Sequence, residues 1–125
     1  MPRRILVVED DEKSRRLLTD VLGFHGFDVR AAADGEAGLV QARENAPDAA
    51  LLDIQLPGIS GFDVLACLRG ESGMARIPVI AVTASVMDQD RKKILAAGFD
   101  AYVSKPVNIK ELLATLNHLL AKAES

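Results

Sequence analysis

Short apolar runs alternate along the chain with longer segments in which apolar residues recur at helical spacing. Runs at residues 5–8, 49–52, 79–82 and 101–103 are continuous, and residues 29–32 form a weaker one. A short apolar run bounded by polar residues is typical of a strand that is buried on both faces of a parallel sheet. The sequence therefore predicts five strands, each followed by a helix.

Cap residues and a leucine stripe support the predicted helices. Residues that favour helix N-termini begin three of them: Asp34, Ser60 with Asp63, and Asn108 with Glu111. The last helix carries leucines at positions 112, 113, 116, 119 and 120, which form one apolar stripe. Strict alternation of strands and helices predicts an α/β fold, a doubly wound (βα)5 arrangement with helices on both faces of a parallel sheet.

Length and composition fit one domain spanning residues 1–125. Of its residues, 49% are apolar and 26% are charged, which is ordinary for a soluble fold. Cys67 is the only cysteine, so no internal disulfide can form, and a reducing cytoplasm is the expected location. Because Cys67 lies in a predicted helix beside Leu65 and Leu68, we expect it to pack in the core.

Composition argues against several classes of protein. No apolar run approaches the roughly 20 residues that a membrane span requires. Only four apolar residues follow the basic N-terminus before Glu9, so no export signal is predicted. The net charge is −3, with lysines and arginines scattered among acids, which argues against direct nucleic-acid binding.

Polar side chains follow four of the five predicted strands. These residues are Glu9, Asp10 and Asp11 after the first strand, Asp53 after the third, Thr83 after the fourth and Lys105 after the fifth. The carboxyl ends of parallel strands share one edge of the sheet, where open α/β sheets bind ligands. We therefore expect these side chains to converge on one site.

The chemistry of this set points to phosphoryl transfer. Crowded carboxylates repel one another and need a cation, and an oxygen-only ligand set suits Mg²⁺ or Mn²⁺. Lys105 and Thr83 offer a positive charge and a hydroxyl to phosphate oxygens. Asp53 comes directly after a buried strand, where a carboxylate is costly unless it is paired or metal-bound. Asp53 is therefore the candidate acceptor.

Other polar residues have simpler interpretations. Asp11 fits the N-cap of the first helix better than a site residue. His25 and His118 lack metal-ligand spacing and are expected at the surface, and residues 88–93 are expected to form a solvated helix face. For Tyr102, packing and a functional role both remain open at this point.

Four motifs resemble those of the receiver domains of two-component response regulators, the CheY-like family, and the resemblance covers residues 4–122. They are LVVEDD at 6–11, LDIQLPGISG at 52–61, PVIAVTA at 78–84 and AYVSKP at 101–106. The residues of these motifs are similar to those of small, single-domain regulators of the DivK kind. The resemblance implies a flavodoxin-like sheet with strand order 2-1-3-4-5.

The resemblance also implies a role for each matching site residue. Asp53 matches the phosphoacceptor, which takes a phosphoryl group from a histidine kinase or a histidine phosphotransfer protein. Glu9, Asp10, Asp53 and the backbone carbonyl of Gln55 match the Mg²⁺ ligands, with Glu9 standing where Asp is commoner. Lys105 matches the residue that pairs with the phosphoryl group.

The resemblance implies that the protein is a two-state switch rather than an enzyme with turnover. Thr83 matches the hydroxyl that moves toward the phosphoryl group, and Tyr102 matches the aromatic ring that turns inward with it. The response would reach the surface of helix 4, strand 5 and helix 5, where a downstream regulator or effector could bind. The resemblance further implies a cis bond before Pro106, and it matches Gln55 and Ser85 to positions that tune hydrolysis of the acyl phosphate.

Rival functions make different demands on the sequence. A haloacid dehalogenase-like phosphatase usually needs a second acid two positions after the nucleophile, where this chain has Gln55. A flavin carrier with this sheet order would have a first loop rich in Ser, Thr and Gly instead of acids. A receiver that acts without phosphorylation would normally lack Asp53, Thr83 or Lys105. A receiver domain trimmed from a longer response regulator or a hybrid histidine kinase stays open as an alternative.

Overall fold

A five-stranded parallel sheet with helices on both faces forms the protein. The computed structural model describes residues 2–71, 73–84 and 88–123. The strands are β1 (Arg4–Val8), β2 (Asp28–Ala32), β3 (Ala49–Asp53), β4 (Val79–Thr83) and β5 (Ala101–Ser104). The helices are α1 (Glu12–Phe24), α2 (Gly35–Glu44), α3 (Gly61–Gly70), α4 (Asp88–Ala97) and α5 (Ile109–Ala123). The strand order is β2-β1-β3-β4-β5, which confirms the predicted fold class.

The sheet separates two apolar cores. On one face, Leu6, Val8 and Leu52 pack with residues of α2, α3 and α4. On the other face, Ile5 and Leu51 pack with α1 and α5, including three leucines of the predicted stripe, Leu112, Leu116 and Leu120. Alternate side chains of a strand point to opposite faces, so a central strand needs apolar residues throughout. This requirement explains the continuous apolar runs.

Side-chain caps fix where four helices begin. The Asp11 carboxylate accepts a hydrogen bond from the Ser14 amide at 2.9 Å, and Asp34 accepts one from Ala37 at 2.8 Å. Ser60 and Asp63 form the predicted capping box, and Asn108 accepts from the Glu111 amide at 3.1 Å. The cap assignment of Asp11 is confirmed. Its carboxylate is thereby directed to the start of α1.

One expectation about packing is wrong. Cys67 is exposed, although it lies in α3 near core residues. The buried residues of α3 are Val64, Leu65 and Leu68, and a helix rotates by about 100° per residue. Cys67 therefore falls outside the stripe that faces the sheet. His25 and His118 are exposed as expected. Among the described residues, no helix is both long enough and apolar enough to cross a membrane.

Arg69 forms hydrogen bonds with several groups near the start of β4. The Arg69 guanidinium donates to the Ile77 carbonyl at 2.5 Å and to the Gly98 carbonyl at 3.1 Å. It also donates to Asp100 at 3.0 Å, and the same carboxylate oxygen accepts the Val79 amide at 2.8 Å. Near the start of β4 lies a groove of about 600 Å³, called here the basal groove. Its lining includes Arg3, Pro47, Asp48, Arg76, Pro78 and Leu120.

Candidate functional site

Two buried acids and one lysine meet at the carboxyl edge of the sheet. Asp53 ends β3 and is 5% exposed, while Glu9 follows β1 and is 2% exposed. Lys105 follows β5, and its Nζ lies 2.8 Å from Asp53 Oδ2 and 2.7 Å from Glu9 Oε1. Three separate segments of the sequence therefore contact one another, as the strand ends predicted.

The backbone amide of Gln55 and the side chain of Arg15 hold the acids and their loop in place. The Gln55 amide donates to Asp53 Oδ1 at 3.0 Å. Nη1 of Arg15 donates to the backbone carbonyl of Glu9 at 2.9 Å and to that of Asp10 at 3.4 Å. These bonds fix the loop after β1 against α1. Ligand oxygens of Glu9, Asp10 and Asp53 then lie within 4.8 Å of one another.

The two buried acids differ in proton affinity because their contacts differ. Burial raises the pKa of Glu9 to about 7, the Asp53 carboxylate adds to the rise, and Lys105 opposes it. Burial also acts to raise the pKa of Asp53, but contacts with Glu9, Lys105 and the Gln55 amide hold it below its ordinary value. For Lys105, burial acts to lower the pKa, and the two carboxylates outweigh it and raise it. A proton bound by the pair therefore resides on Glu9, which leaves Asp53 ionised.

The acidic cluster fits a divalent cation. Both carboxylate oxygens of Glu9 are buried; Oε1 forms an ion pair with Lys105, and Oε2 has no hydrogen-bond partner among the described residues. Buried polar atoms normally find such a partner. Three carboxylates against one ammonium leave a surplus of two negative charges when all are ionised. Oxygen ligands with this surplus suit Mg²⁺.

Thr83 borders a cavity that Gln55, two residues after Asp53, also lines. It ends β4, is 6% exposed and lines a cavity of about 240 Å³ together with Gln55, Phe62 and Lys93. Its partner position in β5 is Ser104. Thr83 therefore reaches the same edge of the sheet as Asp53. Ser85, two positions further on, lies outside the described residues.

The family model for the response regulator receiver domain matches residues 5–117. The protein belongs to the response regulator receiver domain family. Receiver domains are signalling switches of two-component systems, bind Mg²⁺ in an acidic pocket and interact with histidine kinases or phosphotransfer proteins. The acidic pocket here is formed by Glu9, Asp10 and Asp53.

Similar proteins include single-domain regulators and chemotaxis proteins. The polar-differentiation response regulators DivK of Brucella anthropi and Brucella ovis are 37% identical over 123 residues, covering 98% of this chain and all of theirs. The structure of a CheY chemotaxis protein of Vibrio cholerae matches with a TM-score of 0.90 at 26% identity, covering 95% of this chain and 99% of that one. This receiver domain is therefore DivK-like in sequence and CheY-like in fold.

One similar structure contains a metal ion. It is the receiver domain of a sensor histidine kinase from Pseudomonas aeruginosa, with a TM-score of 0.88 at 30% identity. The match covers 97% of this chain and 99% of that one. Its magnesium ion is coordinated in the active-site cleft.

Tyr102 lies on β5, and Pro106 follows this strand. Tyr102 is half-buried on β5 and packs against the core on the α2–α4 face, with the Arg91 guanidinium above its ring. The Lys105–Pro106 peptide bond is cis, as expected. Of the two positions that the resemblance relates to hydrolysis of the acyl phosphate, Gln55 has an exposed side chain, and its backbone amide donates to Asp53.

Sequence reasoning missed a close approach at Gly61. A Cβ on this residue would overlap the Asp53 carbonyl oxygen and lie 2.9 Å from Ile54 Cα. The Gly61 amide donates to the Ile54 carbonyl at 3.0 Å, which brings the start of α3 against the end of β3. The sequence shows only that a glycine directly follows the capping Ser60. The need for a glycine there follows from its distance to Asp53, which the sequence does not contain.

Proposed function

We propose that this receiver domain is a phosphorylation-dependent switch in which Asp53 accepts a phosphoryl group from a phosphohistidine donor. The observation that carries the proposal is the contact of Asp53 with Lys105 at 2.8 Å, beside a cluster of acids that fits Mg²⁺. A buried carboxylate with this combination of partners is suited to phosphoryl transfer.

The contacts of Asp53 favour its role as nucleophile. Its lowered pKa keeps the carboxylate ionised at neutral pH. One of its oxygens forms a bond to phosphorus while the P–N bond of the donor breaks. The electron pair of that bond leaves with the imidazole nitrogen, and the other ring nitrogen keeps its proton. Lys105 then offers its positive charge to an oxygen of the transferred group.

The proposed ligands of Mg²⁺ are the carboxylates of Glu9, Asp10 and Asp53 and the backbone carbonyl of Gln55. When bound, Mg²⁺ neutralises negative charge on the transferring group, and Mn²⁺ has similar ligand preferences. The longer side chain of Glu9 is suited to a contact through water. The magnesium ion of the similar Pseudomonas aeruginosa receiver domain supports this assignment.

The proposed readout runs through Thr83 and Tyr102. A phosphoryl group adds about −1.5 to −2 charge. The Thr83 hydroxyl moves toward it, and the Tyr102 ring fills the space that Thr83 leaves. Shifting the populations of the inactive and active states from 99:1 to 1:99 takes about 5.5 kcal/mol of differential stabilisation. Charge-assisted hydrogen bonds to the phosphoryl group, at about 1.5–3 kcal/mol each, can supply this free energy. The change reaches the surface formed by α4, β5 and α5.

Two classes of partner are proposed, one for phosphorylation of Asp53 and one for the responding surface. A histidine kinase or a histidine phosphotransfer protein supplies the phosphoryl group. A downstream regulator or effector binds the surface of α4, β5 and α5. Direct binding of nucleic acid is not part of the proposal because the net charge is −3.

Phosphotransfer from purified histidine donors tests the proposal. We expect one donor to transfer label rapidly to the wild-type chain in the presence of Mg²⁺, and intact mass should rise by one phosphoryl group. Asp53→Asn should accept none, whereas Asp20→Asn, a change at an exposed acid of α1, should behave as wild type. Label on the Asp53→Asn variant, or steady turnover of phosphoesters by the wild type, would contradict the proposal.

A further inference from the structure

Arg15 of α1 bonds to the backbone of the loop at residues 9–11, which carries two of the three clustered acids. Its Nη1 donates to the Glu9 carbonyl at 2.9 Å and to the Asp10 carbonyl at 3.4 Å. Its backbone amide donates to the Asp11 carbonyl at 2.9 Å. One residue of α1 therefore holds three consecutive carbonyls of this loop, and it leaves the carboxylates free for a cation.

The two ends of the loop have anchors of their own. The Glu9 amide donates to the Ala32 carbonyl at 3.0 Å, which ties the start of the loop to β2. The Asp11 carboxylate caps α1 and ties the end of the loop to that helix. Among the described residues, only Arg15 donates to the carbonyls of Glu9 and Asp10. The middle of the loop therefore depends on this side chain.

The position of Asp10 depends on Arg15 more than that of the other two acids. Lys105 contacts the carboxylates of Glu9 and Asp53. The Asp10 side chain is exposed, and no cation forms an ion pair with it among the described residues. Crowded carboxylates repel one another and act to spread the loop. The backbone contact with Arg15 opposes this spreading.

We infer that Arg15 is a positioning residue that makes the acidic cluster prefer Mg²⁺ to the larger Ca²⁺. The inference rests on the proposed function, in which Glu9, Asp10 and Asp53 hold Mg²⁺. Mg²⁺ requires ligands at about 2.0–2.1 Å in near-ideal octahedral geometry, whereas Ca²⁺ accepts flexible geometry at about 2.3–2.6 Å. A loop that is held at its backbone suits the smaller and stricter ion. A loosened loop adapts to the larger one.

Removal of the side-chain donors should weaken this preference. Loss of a group that orients metal ligands typically costs 10–100-fold in metal affinity. Arg15→Met has a side chain without donors, so we expect its Mg²⁺ affinity to fall by about tenfold, the low end of that range. Ca²⁺ tolerates a displaced carboxylate and should lose less. The ratio of the Ca²⁺ to the Mg²⁺ dissociation constant should therefore fall by about three- to tenfold.

This ratio separates position from charge. Loss of a positive charge near the acids favours both ions, and because the ions carry equal charge the effect cancels in the ratio. Arg16→Met is the matched control. Arg16 is the exposed neighbour on α1, and it forms no hydrogen bond or ion pair within the part of the chain that the structure describes. Arg16→Met should keep the wild-type ratio.

The Gln55 amide supplies the reporter for both ions. It donates to Asp53 Oδ1 at 3.0 Å, so its nuclear magnetic resonance signal responds to the cluster. Mg²⁺ and Ca²⁺ are titrated separately, at constant pH and ionic strength, into wild type, Arg15→Met and Arg16→Met. Equal ratios for the two methionine variants would overturn the inference.

A second variant covers the case in which Arg15→Met does not fold. Arg15→Lys keeps the charge on a shorter side chain that is less suited to bond both carbonyls. A ratio below that of wild type is again expected. A ratio equal to that of wild type would overturn the inference.

Phosphoryl transfer separates this inference from the proposed function. If wild type binds neither ion and Asp53 accepts no label, both are overturned. If Asp53 accepts label and the ratio for Arg15→Met equals that for Arg16→Met, only the role of Arg15 is overturned. If Mg²⁺ binds but Asp53 accepts no label, the proposed function is overturned and the ratio still decides the role of Arg15.

Discussion

Nζ of Lys105 lies 2.8 Å from Oδ2 of Asp53, although 52 positions separate the two residues in the chain. Their strands, β5 and β3, are not neighbours, because β4 lies between them. The same ammonium is 2.7 Å from Glu9, which follows β1. One lysine therefore holds acids from two other strands at the site.

Replacing this lysine should slow phosphoryl transfer. Hydrogen bonds to charged groups contribute about 1.5–3 kcal/mol, so Lys105→Met should lower the rate of transfer from a histidine donor roughly 10- to 100-fold. Lys105→Arg keeps the charge in a bulkier group and should lose less. Rapid-quench measurement of labelled Asp53 gives the rates. Equal losses in both variants would show that charge at this position is unimportant.

The raised pKa of Glu9 should make stability depend on pH. In metal-free protein its pKa is about 7, against an ordinary 4.5. Folding therefore favours the protonated form, so the stabilisation is fully present below pH 4.5 and is lost as pH rises through 7. Glu9→Gln does not titrate. Its free energy of unfolding should rise relative to wild type between these pH values, by up to about 3 kcal/mol.

Urea unfolding with EDTA present, at a series of pH values, measures this difference. The loss of the Lys105 contact in Glu9→Gln adds an offset, and only the slope with pH bears on the pKa. Asp20→Asn, at an exposed acid of α1, is the matched control and should track wild type over this range. A flat difference between Glu9→Gln and wild type would show that Glu9 is ionised throughout.

Mg²⁺ should stabilise the fold through the acidic cluster. A ligand at 100 times its dissociation constant raises the free energy of unfolding by about 2.7 kcal/mol when it binds only the folded state. Asp10→Asn removes one carboxylate of the cluster and should lose about half of this gain or more, which corresponds to at least about tenfold weaker binding. Urea unfolding with and without Mg²⁺ gives both numbers.

The neighbouring acid provides the control for this measurement. Asp11 caps α1, and asparagine is an equally good cap residue, so Asp11→Asn should keep the full gain from Mg²⁺. An equal loss in the two variants would mean that general negative charge near α1, rather than the cluster, attracts the ion.

Gly61 should tolerate no side chain. In Gly61→Ala the new Cβ would overlap the Asp53 carbonyl oxygen, and overpacking of this kind costs about 1–3 kcal/mol. At Gly70 in the same helix, a Cβ would meet nothing within 4 Å, so Gly70→Ala should stabilise by up to about 1 kcal/mol. Thermal and urea unfolding compare them. Similar stabilities for the two variants would refute the close approach at Gly61.

The sequence was sufficient to predict the sheet and the convergence of its polar ends. Continuous apolar runs are needed wherever a strand is covered on both faces, and parallel strands bring Glu9, Asp53 and Lys105 to one edge whatever the helices do. Helix rotation about its own axis is not determined in this way. The exposure of Cys67 and the contact of Arg91 with Tyr102 depend on how α3 and α4 settle on the sheet, which tertiary packing decides.

The bonds of Arg69 and Asp100 fix the start of β4, whereas Thr83 stands at its other end. We expect a displacement of Thr83 to change only the exposed surface of α4, β5 and α5 near the carboxyl edge, while Pro78 and the buried Leu120, which line the basal groove, stay in place. Binding at two sites without shared movement is independent in both directions. A compound that fills the basal groove should therefore bind the chain equally well with or without a phosphoryl group on Asp53. The groove is then a place to attach a dye or an affinity handle without disturbing the signal.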